Sequence, residues 1–504
     1  DKNILAKEVA DFYYRDINKP SEEESELVRI FAPKKRIAHW RELGLIPGGA
    51  HSEVLNSMTR TMSHINTDPM DLLKNSLSLS ISAMYSGLAM ATHFQDILLG
   101  PPRPKLIETN LGVLDPHTVN ILVHGHQPLL QLKILEAQND ERLLNMAKEA
   151  GAKGIKVYGS TDVGQELVSR DSAVMVGQIG SWMKQELAIA TGAVDLMVVD
   201  FNCTIPGLKL MADRFHTKIV SVEKVVSIEG IERIDFDPEK ADEISRKIIG
   251  TAIEAFKNRD WNKINIPDAK STSLIGFSKE SIFGTKENLD ALVNALDSRK
   301  VNGIVAIAGC TNPHTGKQRS DAIILAEELI ARDILVLTSG CCNSEIQHTD
   351  LMTPEGAKYA GSGLKELCLK LNIPPVLSFG SCTEVYRIVD IVTTMADAFS
   401  VDTPDLPCAV SIPEWMDEKS LTDAFFCISF GLITHISPGL PIHGSKKIST
   451  FLSHSESKRK RISSQTALNT FGGEFIYESD PVSSATLLEY HLDRKRQRLQ
   501  AGQA

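Results

Sequence analysis

The chain has 504 residues, 42% of them hydrophobic, and a formal net charge of −10. That is the composition expected of a soluble protein with core enough for roughly two to four domains, and its negative balance argues against non-specific nucleic-acid binding. No stretch is long and apolar enough to span a bilayer; the closest, Leu77 to Ala91, is interrupted by serines.

The chain opens at Asp1 rather than Met, so further residues upstream are expected. From Asp1 to about Gly112 it reads as a helical domain (residues 1–112). An acidic surface turn covers Ser21 to Glu26 and a helix ends at Trp40 to Leu45 before Pro47. Helical periodicity runs over His51 to Asn66 and Met70 to Leu99, without notable strands. Residues 113–265 read as a first Rossmann-like α/β domain. Strand Val119 to Val123 runs into His124-Gly125-His126, and a helix covers Leu132 to Ala150. Strand Gly154 to Tyr158 leads through the loop Gly159 to Gly164 to a helix opening at Gln165-Glu166. Strand Ala193 to Asp200 leads to Cys203, and a fourth strand is expected over Lys218 to Val222. His126, Asp162 and Cys203 thus fall just past strand ends, where open parallel sheets bind ligands.

Residues 266–504 read as a second Rossmann-like domain built on one repeated idea. Val301 to Ala308, Asp333 to Thr338 and Pro375 to Phe379 are short, β-branched-rich apolar runs, the pattern of parallel strands covered on both faces. Each ends in a glycine-led turn carrying a cysteine: Cys310, Cys341 and Cys382. Helices are expected over Asp321 to Ala331, Glu384 to Ala398 and Glu489 to Gln500. One buried cysteine at a strand end is ordinary packing. Three at successive strand ends, facing a histidine, a carboxylate and Cys203 across a cleft, suggest zinc, copper(I) or an iron–sulfur cluster. Their wide spacing argues against a zinc ribbon. Cys342, Cys368, Cys408 and Cys427 read as core residues, and the basic run Lys458 to Arg461 as a solvated loop. Eight cysteines without Cys-x-x-Cys spacing and no visible signal peptide point to a reducing, cytoplasmic location.

Several ordered segments resemble the anaerobic nickel–iron carbon monoxide dehydrogenases, relatives of the hybrid-cluster proteins. They are Asn110 to Leu114 with His124-Gly125-His126, Gln185 to Asp195, Gly309 to Pro313, Gly340-Cys341, Gly380 to Cys382 and Glu414 to Lys419. The resemblance implies a cluster buried between the two α/β domains and the interconversion of carbon monoxide plus water with carbon dioxide, two protons and two electrons. It implies that Cys203, Cys310, Cys341 and Cys382 bind cluster metals, that His126 binds a pendant iron, and that Lys419 stabilises charge on bound carbon dioxide. It also implies a homodimer and an electron carrier such as a ferredoxin-like protein or partner subunit.

Three departures accompany it. Where the family reads Gly-Ile-Cys-Cys-Thr-Gly-Asn-Glu, this chain reads Gly159 to Glu166 with Asp162 in place of the thiolate on the pendant iron. A hard carboxylate puts nickel in question and leaves open an iron–sulfur–oxo cluster that reduces hydroxylamine or another N–O substrate. One helical turn after Lys419, a family position that is usually apolar holds Asp423, which either faces solvent or, within the site, needs a cation, metal or water. The amino-terminal cysteines that hold the family's relay clusters, and its histidine-rich helix, are not found. Either the chain is truncated or this member has another electron route, with an upstream segment or a partner subunit as the expected supplier of a relay. A non-catalytic paralogue is the third reading, against which the retained Lys419 and thiols count.

Overall fold

The computed structural model describes residues 2–170, 175–312, 319–442, 444–453 and 466–500; the basic run Lys458 to Arg461 and Pro313 lie outside them. Thirteen strands among the described residues form two sheets. They are β1 (Lys105–Thr109), β2 (Val119–His124), β3 (Ile155–Ser160), β4 (Leu196–Val199), β5 (Lys218–Ser221), β6 (Glu232–Arg233) and β7 (Ser271–Ile275). Next come β8 (Gly303–Ile307), β9 (Ile334–Thr338), β10 (Val376–Ser378), β11 (Cys408–Ile412), β12 (Ile433–Ile436) and β13 (Phe475–Ile476). The first sheet has the order β3-β2-β4-β5-β6 and is parallel throughout. The second has the order β1-β7-β10-β9-β8-β11-β12-β13 and is parallel except for the antiparallel β1–β7 pair. The fold is therefore mixed α/β with a helical amino-terminal region, as the apolar runs require.

The central strands are buried along their whole length: β2, β4, β8, β9 and β11 expose no residue. Helices cover both faces. Ala241–Phe256 packs on Pro128–Ala137 over the first sheet, and Asp321–Ala331 packs on Pro481–Gln500 over the second.

Four local expectations need correction. The amino-terminal stretch was expected to lack strands, but its end, Lys105–Thr109, is β1 and extends the second sheet. The helix expected from Leu132 to Ala150 is two helices, Pro128–Ala137 and Glu141–Glu149. Asp140 divides them because its carboxylate accepts from Arg142 N and Leu143 N and so starts a new helix. The run Met70 to Leu99 is helical but contains a π-helical turn, Ala83–Leu88, between Pro69–Ser82 and Ala89–Leu99. Finally, the loop expected at Gly159 to Gly164 gives way to a helix from Thr161 to Val168, which places Asp162 in a first turn.

Candidate metal centre

The site lies where strands of the two sheets end toward each other. From the first sheet, β2 runs through Gly125 to His126. Gly125 has φ +112°, and an added Cβ would sit 1.9 Å from Asp200 Oδ1, so only glycine permits this approach. Asp200 in turn accepts from the backbone N–H groups of His126 and Gln127, each at 2.7 Å. β4 leads to Cys203, whose φ of +58° is sparsely populated for a non-glycine residue. Its carbonyl accepts from Gln185 Nε2 at 3.1 Å and lies 3.0 Å from the ring nitrogen of buried His124. β3 leads into Thr161, also left-handed with φ +56°. Thr161 Oγ1 accepts from Gly125 N at 3.0 Å, which locks the β2 and β3 turns together beside Asp162.

From the second sheet, the β8, β9 and β10 turns bring Cys310, Cys341 and Cys382. Gly340, at φ +76°, packs so that an added Cβ would lie 3.2 Å from Cys382 Cβ. Gln165 Nε2 donates to Gly340 O at 3.1 Å and Asn343 Nδ2 donates to Gln165 Oε1 at 2.6 Å, joining the two halves.

His126, Asp162 and Cys382 meet, each offering one ligand atom within 4.8 Å of the others. His126 Nε2 lies 3.1 Å from Asp162 Oδ2 and 3.7 Å from Cys382 Sγ, and Asp162 Oδ1 accepts from Cys382 N at 2.7 Å. Burial works to lower the imidazole pKa, but the Asp162 carboxylate outweighs it and holds His126 at about 10. Burial likewise opposes the Asp162 charge, and His126 outweighs it, keeping the carboxyl below its usual range. The four thiols are pushed the other way. Burial raises Cys203, Cys341 and Cys382 well above an ordinary thiol, with Asp162 adding to each, and burial and Asp417 raise Cys310 to about 11. Cys310 Sγ lies 3.2 Å from Ser420 Oγ.

Lys419 and Asp423 stand one turn apart on the helix Glu418–Ser429, joined by a 2.6 Å ion pair. Burial opposes the Lys419 charge, but Asp423 and Cys382 outweigh it. A cavity of about 720 Å³ opens beside them; His126, Cys382, Lys419 and Asp423 all line it. Asp423 therefore faces the site and not the solvent, being 7% exposed.

All eight sequence-derived candidates converge on this one region. Missed were Asp200, Gln165 and Ser420, which hold candidates in place. A carboxylate following the β4 run was visible as Asp200, but its capping of a turn 74 residues earlier was not. Also missed was Glu166, fully buried, which accepts from the hydroxyls of Ser381 and Thr383 on either side of Cys382. Of the cysteines read as core, Cys342, Cys368 and Cys408 are buried and Cys427 is half-buried.

Residues 1–482 match the Prismane/CO dehydrogenase family. The chain belongs to that family. Among curated relatives, a carbon monoxide dehydrogenase of Archaeoglobus fulgidus is 40% identical over 99% of this chain and 78% of its own length. One of Methanocaldococcus jannaschii is 38% identical over 99% and 79%. Of solved structures, the nickel-free carbon monoxide dehydrogenase from Thermococcus sp. AM4 superposes with a TM-score of 0.92 at 38% identity, covering 99% of this chain and 77% of that one. An acetyl-CoA synthase/carbon monoxide dehydrogenase structure described as holding NiZn[Fe4S4] and NiNi[Fe4S4] clusters gives 0.91 at 30% identity, covering 99% and 74%. This family member is thus a carbon monoxide dehydrogenase-like oxidoreductase, and the names of its relatives do not favour the hybrid-cluster alternative. Among the described residues no helix is long and apolar enough to cross a membrane.

Proposed function

We propose that the chain interconverts carbon monoxide plus water with carbon dioxide, two protons and two electrons at an iron–sulfur cluster between the two sheets. The observation that carries this is the convergence of His126, Asp162 and Cys382 on one spot beside Lys419. The donor set fits the group: Cys203, Cys310, Cys341 and Cys382 are soft sulfur donors and would hold its iron–sulfur part as thiolates, releasing their protons on binding. His126 and Asp162 would supply nitrogen and oxygen to one harder metal of the site. When bound, the cluster supplies the store for two electrons and a Lewis-acidic metal that activates water.

The chain's own residues set the rest. The Lys419 ammonium faces the cavity and stabilises negative charge developing on the oxygens of the one-carbon substrate. Asp423, 2.6 Å away, offsets part of that charge. Asp200 fixes the His126 turn, and a largely apolar cavity leads to the reacting end.

The test is metal analysis of anaerobically purified protein with viologen-coupled carbon monoxide oxidation. Iron and sulfide should be present, with slow turnover that falls about a hundredfold or more in Lys419→Ala, as for loss of a preorganised stabilising group, and disappears in Cys382→Ala. Nickel near one atom per chain would support the family's full metal complement. Protein without iron and sulfide, or turnover indifferent to Cys382→Ala, would overturn the proposal.

A further inference from the structure

The reaction proposed above releases two protons, and most carboxyls near its centre are already engaged. Asp162 and His126 are taken up as metal ligands, Asp423 pairs with Lys419 at 2.6 Å, and both oxygens of Asp200 accept from backbone N–H groups. Glu166 differs. It lies one turn after Asp162 on the helix Thr161–Val168 and is fully buried.

Glu166 Oε1 accepts from Thr383 Oγ1 at 2.5 Å and from Ser381 Oγ at 2.8 Å, while Oε2 has no hydrogen-bond partner among the described residues. Two arginines stand close without pairing with this carboxyl. Arg170 and Arg387 each reach Glu384 Oε1 at 3.0 Å and continue to Asp96, and Arg170 Nη1 meets Glu166 only at its backbone carbonyl. A buried carboxylate without a cation is costly to keep ionised. Burial and the neighbouring Glu384 raise the Glu166 pKa, and the two hydroxyls and His126 offset part of that rise. Glu166 therefore takes up a proton more readily than an ordinary glutamate.

Thr383 connects this carboxyl to the reaction. It follows Cys382 in the chain and lines the cavity that His126 and Lys419 share. Gln95 Nε2 donates to Thr383 Oγ1 at 3.4 Å, so the hydroxyl's own proton is left for Glu166. A proton released into the cavity can bind Thr383 Oγ1 as Thr383 passes its own to Glu166 Oε1. One O–H bond then forms and one breaks at the threonine, and the carboxylate becomes a neutral acid. Outward, Ser381 N donates to Glu384 Oε2 at 3.2 Å, and the two arginines lead on to Asp96, whose side chain is 28% exposed. The polar row thus runs from the cavity to the surface.

We propose that Glu166, acting through the Thr383 hydroxyl, takes up one of the two protons as the two electrons enter the cluster. The inference rests on the carbon monoxide reading, but its first measurement needs no carbon monoxide.

That measurement is redox-difference infrared spectroscopy of the anaerobic, metal-loaded chain in H2O and D2O, with dithionite as reductant. Added electrons raise the proton affinity of a nearby buried carboxyl. Reduction should therefore produce a protonated-carboxyl band that shifts in D2O and is missing from Glu166→Gln. Glutamine keeps an acceptor oxygen for both hydroxyls but cannot take the proton, so its iron content should hold. In viologen-coupled carbon monoxide oxidation its kcat should fall about a hundredfold or more, the usual worth of a placed proton-transfer group, with KM little changed. Thr383→Val should lose band and rate together, and Thr383→Ser should recover both. A residue that only braced the Cys382 turn would leave Glu166→Gln close to the unaltered protein. No band on reduction, a band that persists in Glu166→Gln, or an undiminished rate in that variant would each overturn the relay. The band behaving as described without turnover in any protein would overturn the carbon monoxide reading and not the proton uptake. A chain that holds no cluster would overturn both.

Discussion

Replacing Asp162 with cysteine should change stability in opposite directions in the metal-free and metal-loaded protein. In the metal-free chain the carboxylate is 1% exposed, faces His126 Nε2 at 3.1 Å and accepts from Cys382 N at 2.7 Å. A neutral thiol in its place leaves the imidazole without its counter-ion and the Cys382 N–H without an acceptor. Removing one partner of a buried ion pair costs about 3–5 kcal/mol. Loss of proton uptake by His126 relieves part of this, so metal-free Asp162→Cys should lose roughly 2–4 kcal/mol. In the loaded protein the same thiol becomes a soft ligand to iron and the loss should shrink or reverse. Carbon monoxide oxidation should rise as well, by up to about a hundredfold if the carboxylate leaves the metal on the order of an ångström out of place. Anaerobic urea unfolding with and without chelator gives the two stabilities, and viologen reduction gives the rate. A metal-free loss below about 1 kcal/mol, the worth of a single neutral hydrogen bond, together with an unchanged rate, would refute this account of Asp162.

Other perturbations separate the site from its scaffold. Cys310→Ala or Cys341→Ala should strip iron and sulfide, whereas Cys368→Ala, buried on the helix Ser362–Leu371, should change only packing; iron counts on the three proteins decide. Asp195→Ala should cost about 3–5 kcal/mol in denaturant unfolding, because its buried carboxylate accepts from Arg259 Nη2 at 2.5 Å and Asn120 N at 2.7 Å and pairs with His216 at 2.7 Å. Burial lowers Lys495 from 10.5 to about 8, and its ammonium donates to the carbonyls of Cys408 and Gly431. Between those values the unfolded chain binds the extra proton, so stability should rise with pH there by about 3 kcal/mol. Lys495→Met should flatten that rise, which pH-dependent urea midpoints would show.

What the sequence disclosed of the fold follows from burial. Strands covered on both faces must be apolar along their length, so β2, β4, β8, β9 and β10 stand out as runs. Strands at and next to the edge need not be: β1, the edge strand, reads Lys105-Leu106-Ile107-Glu108-Thr109 with alternating burial, and its neighbour β7 is rich in serine and threonine. Their pairing spans more than 160 residues of chain (Lys105 with Ile275), a partnership that no local pattern announces. The helix carrying Asp162 was hidden for a different reason. It begins at Thr161 with a left-handed β-branched residue, a conformation imposed by the Gly125 turn packed against it and not by local preference.

The site was legible in its thiols and obscure in its charges. Cysteine at a strand end declares itself, because few residues suit both burial and metal. A carboxylate does not, since its effect depends on what stands opposite. Here the two carboxylates that depart from the family pattern each stand opposite a cation of the metal-free chain: Asp162 faces His126 at 3.1 Å, and Asp423 faces Lys419 at 2.6 Å. Each cation thus has a fixed counter-ion before any substrate or metal arrives. Thiolates and bridging sulfides make a cluster anionic, so two additional carboxylates nearby raise the cost of adding electrons to it. Fixed counter-ions also weaken the pull of Lys419 on a substrate's developing charge. Beside a bound cluster the same two carboxylates would disfavour a highly reduced state. One sequence position one turn after a lysine, and another at the start of a helix, set the charge of the whole site.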